Sequence, residues 1–189
     1  NTVFAFAKEH GVGEIEDFAL RLARHFVASQ AAITCARVTV EQYPWDRFGG
    51  HSFTRSGREF RTATVSHDGA DSWVISGLAD LTVLNSAGSE FRGFPRDRYT
   101  TLAETTDRIL ATAVQAQWRH AAPVSVTEWG ESWRAARDAM LEAFAGTHSY
   151  SLQQTLFAMG RRVLEGQPDI AEIRLSLPNK HHFEVDMSP

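Results

Sequence analysis

Alternating apolar and polar residues in two consecutive segments are the feature that most restricts how this chain can fold. In Phe60–His67, successive side chains fall on opposite sides of an extended backbone. Gly69 then turns the chain, and a second, more apolar segment runs from Trp73 to Leu84 with an interruption near Gly77. Because long strands joined by short turns pair in antiparallel fashion, this pattern predicts an antiparallel sheet with one covered face.

Three further segments have the composition of strands. Ala32–Tyr43, Ile109–Trp118 and Ile170–Val185 are rich in the β-branched and apolar residues that strands favour. A polar stretch with glycines, Arg47–Gly57, predicts a turn. With the two alternating segments, these three supply the strands of the predicted sheet.

Helical patterns occupy the positions between strands. Glu14–Ser29 places apolar side chains at i, i+3, i+4, i+7 and i+11, which form one face of a helix. Ser125 opens a second helical region, and its spacing to Glu128 is that of a capping box. Ser151–Glu165 has a third helical pattern. Thr2–Ala7 is short and aromatic, so its local propensity alone favours a strand.

Composition and charge restrict the classes of function. The 189 residues are 43% hydrophobic and 22% charged, and the net charge of −4 comes without a basic run that would bind nucleic acid. No apolar run approaches the roughly 20 residues that cross a membrane, and no signal peptide is present. Cys35 is the single cysteine, which suits a reducing compartment. The chain starts at Asn1 without a Met and stops at Pro189 after an apolar segment, so we expect both ends to be truncated.

Common cofactor and metal motifs are missing from the sequence. It has no GxGxxG unit, no Walker loop and no CxxC pair. His181 and His182 are adjacent, and neighbours on a strand point to opposite faces, so the pair is a poor candidate for binding one metal ion. We therefore expect neither a metal nor an organic cofactor.

The segment Asp80–Leu110 holds the most distinctive candidate for a binding site. Its strand-like start breaks at Asn85–Gly88, and it carries Phe91 and, just before the next apolar run, Arg108. An aromatic ring and a guanidinium at the ends of two strands can stack on a flat, electron-rich ligand and hydrogen-bond its edge. On residue types alone, a long surface loop with a few solvated charges is the commoner structure for such a segment.

Long motifs, in order along nearly the whole chain, resemble those of the urate oxidase (uricase) family. The matching residues are Asn1-Thr2-Val3, Ala5-Phe6-Ala7-Lys8, Leu81-Thr82-Val83-Leu84, Ser89-Glu90-Phe91, Gly93-Phe94-Pro95-Arg96-Asp97, Tyr99-Thr100-Thr101-Leu102, Glu104-Thr105-Thr106-Asp107-Arg108-Ile109-Leu110-Ala111-Thr112, Ser151-Leu152-Gln153-Gln154-Thr155 and Leu177-Pro178-Asn179-Lys180-His181-His182-Phe183. Their length and order make the resemblance far more specific than a short pattern.

The resemblance implies an α+β fold of tandem tunnelling-fold (T-fold) modules, with antiparallel sheets and helices packed on the outer face. It implies a helix, not a strand, for Thr2–Ala7. Residues 1–70 would form the second part of a first module, and residues 71–189 a second module without its last strand. Subunits of such a protein would associate, and we expect a homotetramer with active sites shared between subunits.

The resemblance also implies the residues that bind the substrate, urate. Phe91 would stack on the planar purine, and the planar fork of Arg108 would hold the anionic edge of its pyrimidine ring. The amide of Gln153 would pair with the opposite edge, helped by the backbone N–H of Leu152. Without the resemblance, an ion pair between Arg108 and Asp107 and a mere helix-start role for Gln153 are the simpler interpretations.

The implied reaction is an oxidation of urate by dioxygen without a cofactor. Asn179 would position dioxygen or water above the substrate, and His181 would support a proton relay. On residue types alone, Asn179-Lys180 would be a turn. The products would be 5-hydroxyisourate and hydrogen peroxide. The family's relay also uses a lysine and a threonine from upstream of Asn1 in a neighbouring subunit, and Lys8 and Thr2 do not match those positions. We therefore expect poor activity from this segment alone, and a cytoplasmic location.

Two other classes of function stay open. A different T-fold enzyme that acts on a pterin or purine typically anchors the ring with a glutamate, at the position where Gln153 stands here. The second alternative is a catalytically silent module for purine binding or assembly.

Overall fold

The computed structural model describes residues 1–122, 126 and 128–180, the last two as backbone only. Among these residues, no helix is both long and apolar enough to cross a bilayer. The described helices and strands are, in chain order, α1 Thr2–His10, α2 Ile15–Ser29, β1 Ala36–Gln42, β2 Trp45–Arg47, β3 Phe53–Arg55, β4 Phe60–His67, β5 Ser72–Asn85, β6 Leu110–His120, α3 Trp129–Gly146, α4 Leu152–Gly166, β7 Ile170–Ser176 and β8 Asn179–Lys180.

The predicted antiparallel sheet is confirmed. Its strands lie in the order β1-β4-β5-β6-β7, every adjacent pair is antiparallel, and β8 pairs with the start of β6. Strands β2 and β3 form a separate two-stranded hairpin. Strand β4 pairs directly with β5, so the sheet runs without a break across residue 70, where we expected one module to give way to the next.

The described helices pack on one face of the sheet, and the core lies between the helices and the strands. Beneath α2, Val65 and Val74 pack with Ala19 and Ala23. Beneath α3 and α4, the larger cluster is centred on fully buried side chains of β6 and the two helices, among them Trp118, Met140 and Met159. On the opposite face of the sheet β4 is polar, because every second residue, such as Thr62 and Thr64, points away from the helices.

A bulge interrupts β5 within the larger part of the core. Leu78 pairs with Ala116 and Leu81 with Val114, so Ala79 and Asp80 together face one residue of β6. Asp80 has φ of 57°, the one positive φ outside glycine among the described residues. The extra residue keeps both Leu78 and Leu81 on the helix-covered face, although their numbers differ in parity.

Gly77, next to the predicted interruption of this strand, is required by close packing. A Cβ at this position would lie 2.5 Å from the carbonyl oxygen of Ala116 and 2.6 Å from Oγ1 of Thr62. Its own carbonyl oxygen accepts a 2.9 Å hydrogen bond from Nε1 of Trp133, which ties β5 to α3.

The structure confirms one local prediction and corrects two others. The helix implied for Thr2–Ala7 is confirmed, so tertiary context outweighs its strand propensity. The predicted turn Arg47–Gly57 includes strand β3 and the end of β2, stabilised by the Arg47 guanidinium 4.4 Å from the ring centroid of Phe53. Strand β1 begins only at Ala36, because the Ile33 N–H bonds the Gln30 carbonyl in a turn after α2.

Two helix and strand ends also differ from prediction. Helix α3 begins at Trp129 with Glu128 as its N-cap residue, so the capping box that starts at Ser125 is wrong; Ser125 itself lies outside the described residues. The last predicted strand is interrupted at Pro178, which has no N–H to donate to a ladder, and divides into β7 and β8.

Candidate functional site

The loop between β5 and β6 is folded back on itself by a ladder of hydrogen bonds. The Gly88 N–H donates to the Asp107 carboxylate at 2.9 Å. Phe91 and Thr105 exchange two backbone hydrogen bonds of 2.9 and 3.0 Å. The Gly93 N–H donates to the Glu104 carboxylate at 3.1 Å. These contacts hold Phe91 close to the residues that precede β6.

Arg108 carries an unneutralised positive charge within this loop. Its guanidinium lies 4.9 Å from the ring centroid of Phe91, and its Nε donates to the Ser89 hydroxyl at 3.3 Å. No carboxylate of the described residues lies within ion-pair distance of it, and Asp107 is bonded to Gly88 instead. Burial lowers the pKa of Arg108, but a guanidinium stays protonated at neutral pH. The side chain is therefore free to bind an anion with its terminal nitrogens.

The Phe91 ring is fixed by an aromatic neighbour as well. Phe94 stacks on it, with ring centroids 4.5 Å apart and an angle of 21° between the planes. Such pairs contribute about 0.5–1.5 kcal/mol beyond the area they bury. The loop therefore presents a rigid aromatic surface beside the cation.

Ser149 joins this loop to the start of α4. It pairs with Ser89 as an isolated parallel bridge. The Glu90 N–H donates to the Ser149 carbonyl at 2.7 Å, and the Ser149 N–H donates to the Gly88 carbonyl at 3.1 Å. The loop that carries Arg108 is thereby fixed directly against the residues that lead into α4.

The first turn of α4 offers donors to a ligand. Ser151 is the N-cap residue, and its hydroxyl accepts the Gln154 N–H at 3.2 Å. The N–H groups of Leu152 and Gln153 have no partner among the described residues, and the exposed Gln153 amide has none either. Unpaired N–H groups at a helix start carry partial positive charge and attract anions and carbonyl oxygens.

The end of β8 lies at the same end of the sheet. The backbone of Asn179 pairs with Thr112, four residues after Arg108, and the Thr112 hydroxyl donates to the Pro178 carbonyl at 2.9 Å. Thr112 is fully buried, so this contact anchors the chain just before Asn179. His181 lies outside the described residues.

A cavity of about 710 Å³ lies away from this loop. None of the predicted site residues lines it; its walls include Tyr43, Phe60 and Trp133. Both of its carboxylates are paired, since Arg61 bonds Glu14 at 2.7 Å and Arg137 bonds Glu59 at 2.7 Å. Size favours this cavity as a binding site, whereas unpaired donors favour the loop around Arg108.

Comparison with known proteins identifies the family of this chain. The sequence profile of the Uricase family matches residues 74–189. The uricase of Arthrobacter globiformis is 49% identical over 191 aligned residues, which include 100% of this chain. This chain belongs to the uricase family. It spans 62% of the length of the Arthrobacter uricase.

Other members of the uricase family agree. The uricase of Emericella nidulans is 38% identical over 202 residues, with 100% of this chain and 67% of the relative covered. The crystal structure of the Arthrobacter globiformis uricase superposes with a TM-score of 0.92 at 49% identity, over 99% of this chain and 65% of that one. The α+β T-fold expected from sequence is thereby confirmed.

Within this uricase-family fold, four predicted substrate residues lie in one region: Phe91 and Arg108 in the loop, and Leu152 and Gln153 at the start of α4, joined through Ser149. Of the two predicted catalytic residues, Asn179 has its backbone at the same end of the sheet. The sequence did not identify Phe94, Ser89 or Ser149 as parts of the site. Phe94 had a signal, since it stands three residues from Phe91 in an exposed loop; the two serines had none, because their pairing is tertiary.

Proposed function

We propose that this chain forms the main part of a urate oxidase site, in which urate binds between the Phe91–Arg108 loop and the first turn of α4. The observation that carries the proposal is one juxtaposition. Counting only the residues that the structure describes, an arginine without a carboxylate partner and a helix start with unpaired N–H groups are held together through the Ser89–Ser149 bridge. Both ends of such a site favour a planar anion with carbonyl edges, and urate at neutral pH is one.

Each residue then has a role that its position supports. The Phe91 ring, held by its neighbours, offers a surface on which the purine stacks. Arg108 donates a charge-assisted pair of hydrogen bonds to one edge of the ring. The Gln153 amide and the Leu152 N–H bond the opposite edge. Fixing the ligand at both edges orients the ring plane for reaction.

The proposed reaction needs no cofactor. Urate, water and dioxygen give 5-hydroxyisourate and hydrogen peroxide: two electrons pass from the purine to dioxygen, and water supplies the new hydroxyl group. The anion held by Arg108 is the electron-rich form that reduces dioxygen, so the protein's main contributions are orientation and proton transfer. Asn179 would position dioxygen or water, and His181 would assist the relay.

The proposal includes a homotetramer with shared sites and a location in the cytoplasm. Tyr99 and Leu102 in the site loop are 71% and 62% exposed, and Phe157 on α4 is 68% exposed. Large apolar side chains in such positions favour contact with another subunit. The free, exposed thiol of Cys35 suits a reducing compartment.

Oxygen uptake and peroxide release with urate test the proposal. They are measured for a protein that carries this sequence at the full length of its relatives, with the 189-residue chain beside it. We expect uptake by the longer protein and little by the chain alone, because the relay lysine and threonine lie outside it. Absence of uptake in both would contradict the oxidase and leave a purine-binding or assembly module. Turnover by the chain at the rate of the longer protein would contradict the shared site.

A further inference from the structure

Three buried hydroxyl groups connect the two halves of the proposed urate site. Ser89 is 1% exposed, and Ser149 and Thr155 are fully buried. Thr155 Oγ1 donates to Ser149 Oγ at 2.8 Å, and Ser149 Oγ donates to the Ser151 carbonyl at 3.0 Å. Together with the Ser89–Ser149 backbone bridge, these bonds form a continuous connection, which we call the hydroxyl chain.

Each end of the hydroxyl chain reaches a group that is proposed to touch urate. At one end, Ser89 Oγ accepts from Nε of Arg108 at 3.3 Å, and the terminal nitrogens of the guanidinium have no hydrogen-bond partner within the described part of the chain. At the other end, the Ser151 carbonyl and the Thr155 side chain belong to the first turn of α4, which carries Leu152 and Gln153.

Stability alone gives little reason for this arrangement. A buried hydroxyl stabilises the fold only modestly when it is hydrogen-bonded and destabilises it when it is not. Valine has the shape of threonine without that risk, and Thr155 lies on the same buried face of α4 as Leu152 and Met159. What the hydroxyls add over apolar packing is direction, because hydrogen bonds fix angles and distances that apolar contacts leave loose.

We propose that Ser89, Ser149 and Thr155 are positioning residues that set the separation between the Arg108 guanidinium and the first turn of α4. This inference rests on the proposed function, because that separation must match the distance between the two edges of the ligand that the Arg108 guanidinium and α4 bind. A planar purine anion bonded at both edges tolerates little error in the separation. A misplacement of about 1 Å can reduce the rate of an oriented reaction about a hundredfold.

The experiment is a titration of the chain with urate under nitrogen, so that no turnover occurs, followed by ¹⁵N NMR including the arginine Nε signals. Thr155→Val removes one hydroxyl of the chain and keeps the side-chain shape. We expect it to weaken urate binding about tenfold and to move the Arg108 Nε signal, although Thr155 does not contact Arg108. Thr155→Ser restores the hydroxyl and should restore both. Ser86→Ala, an exposed serine of the same loop, is the matched control and should change neither.

A double-mutant cycle separates positioning from general stability. If Thr155 acts by placing α4 against Arg108, then Thr155→Val should weaken urate binding about tenfold in the wild type. In the Gln153→Ala background, where the amide contact with the second edge of urate is already lost, it should weaken binding less than about twofold. Equal effects in both backgrounds, or an unmoved Arg108 signal, would overturn the positioning role. Ser89→Ala supplies the same comparison should Thr155→Val fail to fold. A wild-type chain that binds no urate would instead overturn the proposed function, and this inference with it.

Discussion

Two polar regions of the molecule are built in opposite ways. Beneath α2, the fully buried Glu16 bonds Arg61 at 2.6 Å and Ser76 at 2.7 Å, and Ser76 lies 3.1 Å from Nε2 of His120. We call these four residues the buried cluster. At the proposed urate site, by contrast, Arg108 has no carboxylate partner in the described part of the chain, and the Gln153 amide is likewise unpaired there.

A shifted pKa alone therefore does not identify the functional site in this fold. Burial raises the pKa of the Glu16 carboxyl, opposed by the positive charge of Arg61. Burial also lowers the pKa of His120 to about 4, opposed by Asp169. Such perturbed groups often mark active sites, but here the Glu16 carboxylate is bonded to Arg61 and Ser76. The Arg108 guanidinium and the Gln153 amide, which have no charged partner among the described residues, lie in the other region.

Removing the cation of the buried cluster should have the largest effect on the free energy of unfolding. Arg61→Met leaves the carboxylate of Glu16 buried without its partner, and we expect a loss of about 3–5 kcal/mol in the free energy of unfolding, measured in urea. Arg174→Met, at an exposed pair with Glu172, is the control and should cost under about 1 kcal/mol. Equal losses in the two variants would contradict a buried, dependent charge.

Acid should weaken the buried cluster through His120. Its pKa is lowered on folding from 6.5 to about 4, so the unfolded chain binds more protons between these values. Stability from this group is present above pH 6.5 and is lost as the pH falls towards 4, by about 3 kcal/mol. The raised pKa of Glu16 acts in the opposite direction, because its contribution is present at low pH and is lost as the pH rises through the folded value.

A non-titrating variant isolates the histidine. His120→Gln keeps a group that can bond Ser76, and the fall in stability between pH 6.5 and 4 should become shallower by most of that amount in urea unfolding curves. The contribution of Glu16 is common to both proteins and largely cancels in the difference. His51→Gln, at an exposed histidine, should leave the pH profile unchanged. An unchanged profile for His120→Gln would refute the assignment.

At the open site, the same kind of change should alter binding and spare stability. Arg108→Lys keeps the charge but loses the planar fork, so we expect anaerobic urate affinity to fall about 10- to 100-fold, or about 1.4–2.8 kcal/mol. The free energy of unfolding should move by under about 0.5 kcal/mol. Arg98→Lys, in the same exposed loop, should leave affinity unchanged. Loss of stability without loss of affinity would make Arg108 a structural residue.

The smallest expected effect lies at the helix cap. Ser151→Ala removes the acceptor of the Gln154 N–H and should cost about 1 kcal/mol in thermal or urea unfolding. Asn1→Ala is the matched comparison, because Asn1 caps α1 without a side-chain hydrogen bond. Similar small changes in both would show that the cap of α4 does not stabilise the helix.

Much of the fold could be predicted because its signals are local. Alternation in Phe60–His67 and the apolar stripe of α2 report which residues face the core, and both segments have the predicted structure. The hairpin of β2 and β3 escaped prediction, because three-residue strands are too short to show a period. The break at Pro178 was misjudged because the apolar pattern continues across it.

The site could be predicted only in part. Residue types and the family motifs both predict that Phe91 and Arg108 bind one flat ligand, and the Arg108 guanidinium lies 4.9 Å from the Phe91 ring centroid. Their link to Gln153 depends on the Ser89–Ser149 bridge, which joins residues sixty positions apart. No local pattern reports such a contact, and serines in loops are too common to signal one.

The bulge at Ala79 and Asp80 gives β5 a tolerance that a regular strand lacks. Shortening a regular strand by one residue turns every later side chain to the wrong face. At the bulge, loss of one of the two residues that share a partner would leave Leu81 opposite Val114 and Asn85 opposite Leu110, as they are now. Asn85 also donates to the Phe144 carbonyl at 3.0 Å where the site loop begins. The bulge therefore allows small insertions and deletions in β5 without a change of register at the end of the strand that leads to the site.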